Sequence, residues 1–175
     1  MTIYDEPAQD DAQLLYSYDL ELYPNYFLAV FKEITSNQDG DFKNYTFSEL
    51  DELRAFVSQP NLTLVGYNNF KFDDTLLRII LKNNALSTEY LCEWSNKLIN
   101  NRDEDQQAIK TLRYKDSNWI SIDLIQILGG SPLAGSLKSH EIKLGMLNVQ
   151  DLPYPPGTIL SPEQIAVVAV MSAPI

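Results

Sequence analysis

Residues 18–32 read Tyr-Asp-Leu-Glu-Leu-Tyr-Pro-Asn-Tyr-Phe-Leu-Ala-Val-Phe-Lys, and this stretch predicts two strands joined by a tight turn. Leu14 to Leu22 carries aromatic and apolar residues interrupted by Asp19 and Glu21; Pro24 and Asn25 supply the turn; Tyr26 to Ile34 is aromatic and branched. Alternate residues of a strand share a face, so Tyr18, Leu20 and Leu22 form one apolar face while Asp19 and Glu21 aim together from the other. Two carboxylates at that spacing repel each other unless a cation sits between them, and a hard divalent ion such as Mg²⁺ or Mn²⁺ is the usual remedy. On the solvent face of an alternating strand the pair needs nothing further. A sheet covered on both sides changes that, because carboxylates on a covered face require a partner.

Working outward, residues 1–12 are polar and acidic and are expected to form a loose N-terminus, leaving 13–175 as a single domain. After the hairpin, Asn37-Gln38-Asp39-Gly40 reads as another turn and Tyr45 to Phe47 as a third strand. Ser48 is the expected cap of a helix, with Asp51 completing a capping-box-like pattern and Pro60 stopping it. Leu62 to Gly66 is a short apolar run suited to a buried strand, and Asp73-Asp74 open an apolar-periodic helix whose acidic first turn suits its dipole. Residues 88–118 form a mostly helical polar insertion, and Trp119 to Leu128 reads as a strand or strand-to-helix segment. Ala134 to Leu144 has helical spacing and stops at Gly145; Ser161-Pro162-Glu163-Gln164 opens a last helix with Pro at its first position and Gln164 at the reciprocal position of a capping box. A meander followed by alternating helix and strand is an α/β domain with a mixed sheet.

The second chemistry-bearing stretch is VGYNNFKFDDTLL, residues 65–77, in which an apolar strand ends in a Gly/Asn turn and an acid stands at the next helix start. Strand ends beside helix starts are where open α/β sheets build sites. Taken alone, Asp73 is equally a dipole-matched helix acid, and Asn68 and Asn69 are ordinary turn residues. Together, YDLELYPNYFLAVFK and VGYNNFKFDDTLL resemble the first and second motifs of DEDD (RNase H-like, DnaQ-like) 3′–5′ exonucleases, especially phage polymerase-associated domains. SIDLIQILGG (121–130) and SLKSHEIKLG (136–145) are similar to that group's connecting segments. The resemblance spans about residues 13–170 and implies an RNase H-like fold, a three-strand antiparallel meander plus parallel strands flanked by helices. It implies that Asp19, Glu21 and Asp73 are metal ligands, with Asp74 as the alternative to Asp73, and that Tyr23 and Asn68 line the substrate edge. Mg²⁺ or Mn²⁺ would then serve phosphodiester hydrolysis at a single-stranded DNA 3′ end.

The third motif of that family is an Asp on the last helix preceded by Tyr or His. Here Ala169-Val170-Met171-Ser172-Ala173-Pro174-Ile175 offers neither, and no acid follows Glu163. Asp123, in the apolar run Ile122-Asp123-Leu124, is either a helix cap or a reserve ligand. His140, the one histidine, reads as a helix-packing residue or a proton shuttle. The net charge of −11 and pI near 4.4 are a poor footprint for holding polyanions unless metals neutralise the site. Two classes therefore stay open. One is the exonuclease, with a protein partner supplying the missing helix if it is incomplete alone. The other is a non-catalytic acidic binding protein on the same scaffold, such as a phage-encoded inhibitor or DNA mimic acting on a host nucleic-acid-binding or defence protein. A single cysteine, no long apolar run and an acidic N-terminus fit a cytoplasmic protein of a bacterial host cell, with no membrane partner.

Overall fold

Pro24 and Asn25 close the hairpin as expected: β1 (Leu14–Tyr23) runs antiparallel to β2 (Tyr26–Glu33), with Asp19 opposite Val30 and Glu21 opposite Leu28. The computed structural model describes residues 13–34, 43–100, 105–113, 117–128, 137–143, 145 and 152–171. The expected Asn37–Gly40 turn, the loose residues 1–12 and the start of the 134–144 helix lie outside the described residues. β3 (Asn44–Phe47) adds to β2 antiparallel. Helix α1 (Leu50–Val57) then crosses over so that β4 (Leu62–Gly66) pairs with β1 in parallel. Three helices follow, α2 (Asp73–Lys82), α3 (Thr88–Asn100) and α4 (Gln106–Arg113), before β5 (Trp119–Asp123) joins β4, again in parallel. Parallel neighbours need such long crossovers, which is why the helices fall between these strands and not within the meander. The resulting order, β3-β2-β1-β4-β5, makes an α/β domain with a mixed sheet and is consistent with an RNase H-like arrangement.

The main core lies on one face of this sheet. Tyr16 and Tyr18 of β1, Phe31 of β2 and Leu64 of β4 meet Leu53 and Phe56 of α1 and Leu76, Leu77 and Ile80 of α2. Aromatic rings fill much of it: Tyr18 stacks on Phe31 with centroids 5.6 Å apart, and Phe31 sits 4.7 Å from Phe56. Such pairs add about 0.5–1.5 kcal/mol beyond the area they bury. Leu91, Leu98 and Ile109 are buried in the same cluster, so the expected helical insertion is built into the domain core. Arg54 fastens α1 to the end of α2: its Nε donates to the Ile80 carbonyl at 2.9 Å and its NH2 to the Asn83 carbonyl at 2.7 Å.

The opposite face carries a smaller cluster, Tyr23, Leu28, Leu160 and Val168, closed by the last helix α7 (Pro162–Met171). Its start is the capping box read from the sequence. The Ser161 N–H donates to Gln164 Oε1 at 2.9 Å and the Gln164 N–H to Ser161 Oγ at 3.3 Å. The expected cap of α1 is different. Ser48 does not cap it; Glu49 occupies the cap position in extended conformation with no side-chain cap bond, and Asp51 pairs with Arg54 instead. The chain runs on extended past Phe47 so that Leu50 reaches the core, which shifts the helix start beyond Ser48. Two short helices remain, α5 (Leu124–Ile127) and α6 (Leu137–Lys143), the latter ending as expected at Gly145, whose φ is +75°.

Candidate functional site

Strand alternation sets the first two acids. Tyr16 and Tyr18 point into the main core, so Asp19 and Glu21 project from the face that α7 partly covers near Tyr23. Asp19 is exposed and Glu21 half-buried. The third acid arrives from β4. Gly66 ends that strand two residues before Asn68, which takes the left-handed conformation at φ +59°, and a 3₁₀ turn at Asn69–Lys71 leads into α2. Gly66 is required here for space: a Cβ would stand 2.7 Å from Asn69 Cβ and 3.2 Å from Tyr18 Cε1. The turn delivers Asp73, 8% exposed, as the first residue of α2.

Electrostatics couples the three acids, since Asp19 acts on both Asp73 and Glu21. Burial pushes Asp73 well above the usual carboxylate range, and Asp19 is the next largest cause raising it, ahead of the adjoining Asp74 and of Glu21. Glu21 is pushed up to about 7, first by burial and then by Asp19. Among the described residues, no basic side chain figures among the groups acting on either acid; only the Asp73 backbone N–H favours that carboxylate's charged form. Among the described residues, no group of three or more His, Cys, Asp or Glu is arranged to hold a metal ion as it stands.

The other buried acids are handled differently. Asp74, the alternative to Asp73 in the sequence, is 0% exposed and turns into the core. It accepts hydrogen bonds from Tyr18 Oη at 2.6 Å, Ser121 Oγ at 2.6 Å and Trp119 Nε1 at 3.4 Å, and Arg78 NH2 stands 3.7 Å away. The Arg78 guanidinium also lies 5.7 Å over the Trp119 ring. Asp123 caps α5 through the Ile125 N–H at 3.1 Å, and also takes the Asn68 N–H at 2.8 Å and the Phe70 N–H at 3.3 Å. It is therefore a cap and a brace for the turn before Asp73. Sequence reasoning read Asp123 as a cap or a reserve ligand but missed the brace, since pairing across 55 residues leaves no local pattern.

Tyr23 does not line an open edge. It is 1% exposed, packed with Leu28 and Val168, and its hydroxyl donates to the Tyr154 carbonyl at 3.3 Å. Its place at the end of β1 directs it under α7. Asn68 remains half-buried on the turn, with its backbone held by Asp123. The neighbouring Asn69 is the fully buried one and donates Nδ2 to Ser121 Oγ at 2.9 Å. His140 packs its ring 5.9 Å from that of Tyr67 on the same turn. A groove of about 530 Å³ lies elsewhere, between the hairpin turn and the starts of α1 and α3, with Pro24, Phe27, Glu49, Asp51 and Glu89 among its walls. None of the three acids lines it. No helix among the described residues is long and apolar enough to cross a membrane.

Comparison with protein-family models, curated proteins and solved structures finds no match for this chain.

Proposed function

We propose that this chain is a DEDD-type, RNase H-like 3′–5′ exonuclease domain that binds Mg²⁺ or Mn²⁺ through Asp19, Glu21 and Asp73. The observation that carries this reading is the Asp73 carboxylate, raised first by its burial and then by Asp19, Asp74 and Glu21, with no basic side chain among the described residues offsetting them. An all-carboxylate oxygen set suits a hard divalent cation. A divalent ion held by these carboxylates would lower the pKa of a water attacking the phosphodiester and offset the charge developing there. The chain's own part is placement. Gly66, the Asn68–Lys71 turn and its Asp123 brace hold Asp73 at the head of α2, where Asp19 and Glu21 act on its carboxylate. Lys71, exposed on that turn, and Lys32, on the same sheet face as Asp19 by register, are candidate phosphate contacts that soften the effect of the net charge of −11.

A second reading is favoured by one feature of α7. Its single acid, Glu163, is exposed in the first turn and hydrogen-bonded to Ser161 Oγ at 2.7 Å, so this helix contributes no fourth carboxylate between Pro162 and Met171. On that reading the scaffold is a non-catalytic acidic binding protein, or an exonuclease completed by a partner. The deciding experiment is Mn²⁺-dependent degradation of 5′-labelled single-stranded DNA, with Asp19→Ala beside the wild type. Shortening from the 3′ end by the wild type alone supports the enzyme. Equal inactivity of both, at Mn²⁺ concentrations that saturate binding, turns the choice to a completing partner or to the binding protein.

A further inference from the structure

The segment from Thr158 to Met171 lies over the sheet face that bears Asp19 and Glu21, and it is thinly attached. Among the described residues of α7, Val168 alone is buried, while Ala166, Val167, Val170 and Met171 are exposed. Helix α2, on the main core, is buried at every residue from Asp73 to Ile80. Leu160 and Val168 enter the small cluster with Tyr23 and Leu28, and Ile165 and Val30 pack at its edge. By register Leu28 and Val30 stand opposite Glu21 and Asp19, so the segment packs with the cross-strand neighbours of both acids.

Its upstream end is a self-contained turn. The Thr158 N–H and Oγ1 both donate to the Pro155 carbonyl, at 3.2 and 2.7 Å, and Gly157 takes φ +88°. Tyr154, before the turn, is fixed separately, its carbonyl accepting from the Tyr23 hydroxyl. Beyond the turn, the exposed Asn25 of the β1–β2 hairpin holds the Leu160 backbone at both groups. Its Nδ2 donates to the Leu160 carbonyl and its Oδ1 accepts from the Leu160 N–H, each at 2.9 Å. We propose that Thr158 to Met171 is a strap that opens as one unit about the Pro155–Thr158 turn, latched by Asn25, and that opening uncovers the sheet face beside Glu21. A latch of two neutral hydrogen bonds within reach of water releases readily, because water replaces each bond at small net cost. The few apolar contacts beneath α7 put it at the low end of local stability. The strap belongs to the fold and stands whether or not the acids hold a cation.

The test is native-state amide exchange of the full chain, read residue by residue by NMR. Opening as a unit predicts one shared protection factor from Ile165 to Val170, at least about 100-fold below those of Leu64 in β4 and Ile80 in α2. Asn25→Ala should speed exchange throughout that group by about 10–100-fold, as the loss of two hydrogen bonds implies. Ile79→Val, in the main core, weakens contacts that break only in global unfolding. It should speed Leu64 and Ile80 by about 2–10-fold and leave the α7 group at its wild-type rate. Protection that rises step by step from Met171 back to Ile165 is end fraying and overturns the strap. So does protection in α7 equal to that of Leu64, no response to Asn25→Ala, or a response of α7 to Ile79→Val. With Leu28→Cys in a Cys92→Ser chain, maleimide labelling at position 28 should quicken by the same factor when Asn25→Ala is added. A labelling rate indifferent to the latch means that opening leaves the face covered, and overturns the proposal.

Discussion

Glu21→Gln should make the metal-free protein more stable at pH 8 while abolishing its response to Mn²⁺. The Glu21 carboxyl is pushed from its ordinary value of 4.5 up to about 7, by burial first and by Asp19 second. An acid with a raised folded-state pKa keeps its proton longer when folded. Between pH 4.5 and about 7 the folded chain therefore binds more protons than the unfolded one, and stability falls as pH rises through that window. At about 1.36 kcal/mol per tenfold change in proton affinity, the displacement is worth on the order of 3 kcal/mol. Residual water contact at Glu21 screens part of that, leaving about 2–3 kcal/mol, or roughly 5–10 °C in Tm for a domain of this size. Asp73 is raised in the same direction, so the wild type carries both penalties and the variant keeps most of that from Asp73.

The assay is urea unfolding in EDTA from pH 4.5 to 8.5, with wild type and variant compared at each pH. The difference should be nearly constant at the acid end and grow through pH 7, in favour of Gln. Adding Mn²⁺ at about 100 times its dissociation constant should return about 2.7 kcal/mol to the wild type by mass action and nothing to the variant. Parallel pH profiles would refute the reasoning, since they would mean that the Glu21 carboxylate is not held at a cost.

Gly66→Ala should lose about 1–3 kcal/mol in the same unfolding assay, because the added methyl meets Asn69 Cβ at 2.7 Å in a turn with no slack; an unchanged midpoint would show that the turn can shift. Asp123→Ala strands the Asn68, Phe70 and Ile125 N–H groups and should cost about 2–3 kcal/mol. Amide exchange at Asn68 and Phe70 should accelerate, and wild-type exchange rates there would count against the brace. Ser161→Ala should cost about 1 kcal/mol by removing half of the capping box on α7, read as a lower urea midpoint.

The parts legible in the sequence were those carried by local pattern. The hairpin around Pro24-Asn25, the apolar run of β4 and the capping box at Ser161 each appear where their residues put them. The cap at Ser48 was misplaced because the demand of Leu50 for the core outweighed the preference of a serine, a tertiary effect with no local sign. The burial of Tyr23 has no local sign either: its surroundings come from Leu160 and Val168, far along the chain. The role of Asp74 had one available signal, its spacing of four residues from Arg78 within an apolar helix. A charged pair on a face that otherwise enters the core points to a buried network, but its partners Tyr18 and Ser121 come from two other strands.

The contrast among the buried acids is the strongest physical ground for a cation at this site. Burying a carboxylate is costly unless donors or positive charge surround it. The chain meets that cost at Asp74 with two hydroxyls, an indole N–H and a guanidinium, and at Asp123 with three backbone N–H groups. At Asp73 and Glu21 it sets burial and further carboxylates against the charge instead. A fold able to provide donors for Asp74 one residue away could have provided them for Asp73. That Asp19 and Glu21 act on it instead is what the proposed cation site requires, and on that proposal stability and metal affinity trade against each other at Glu21.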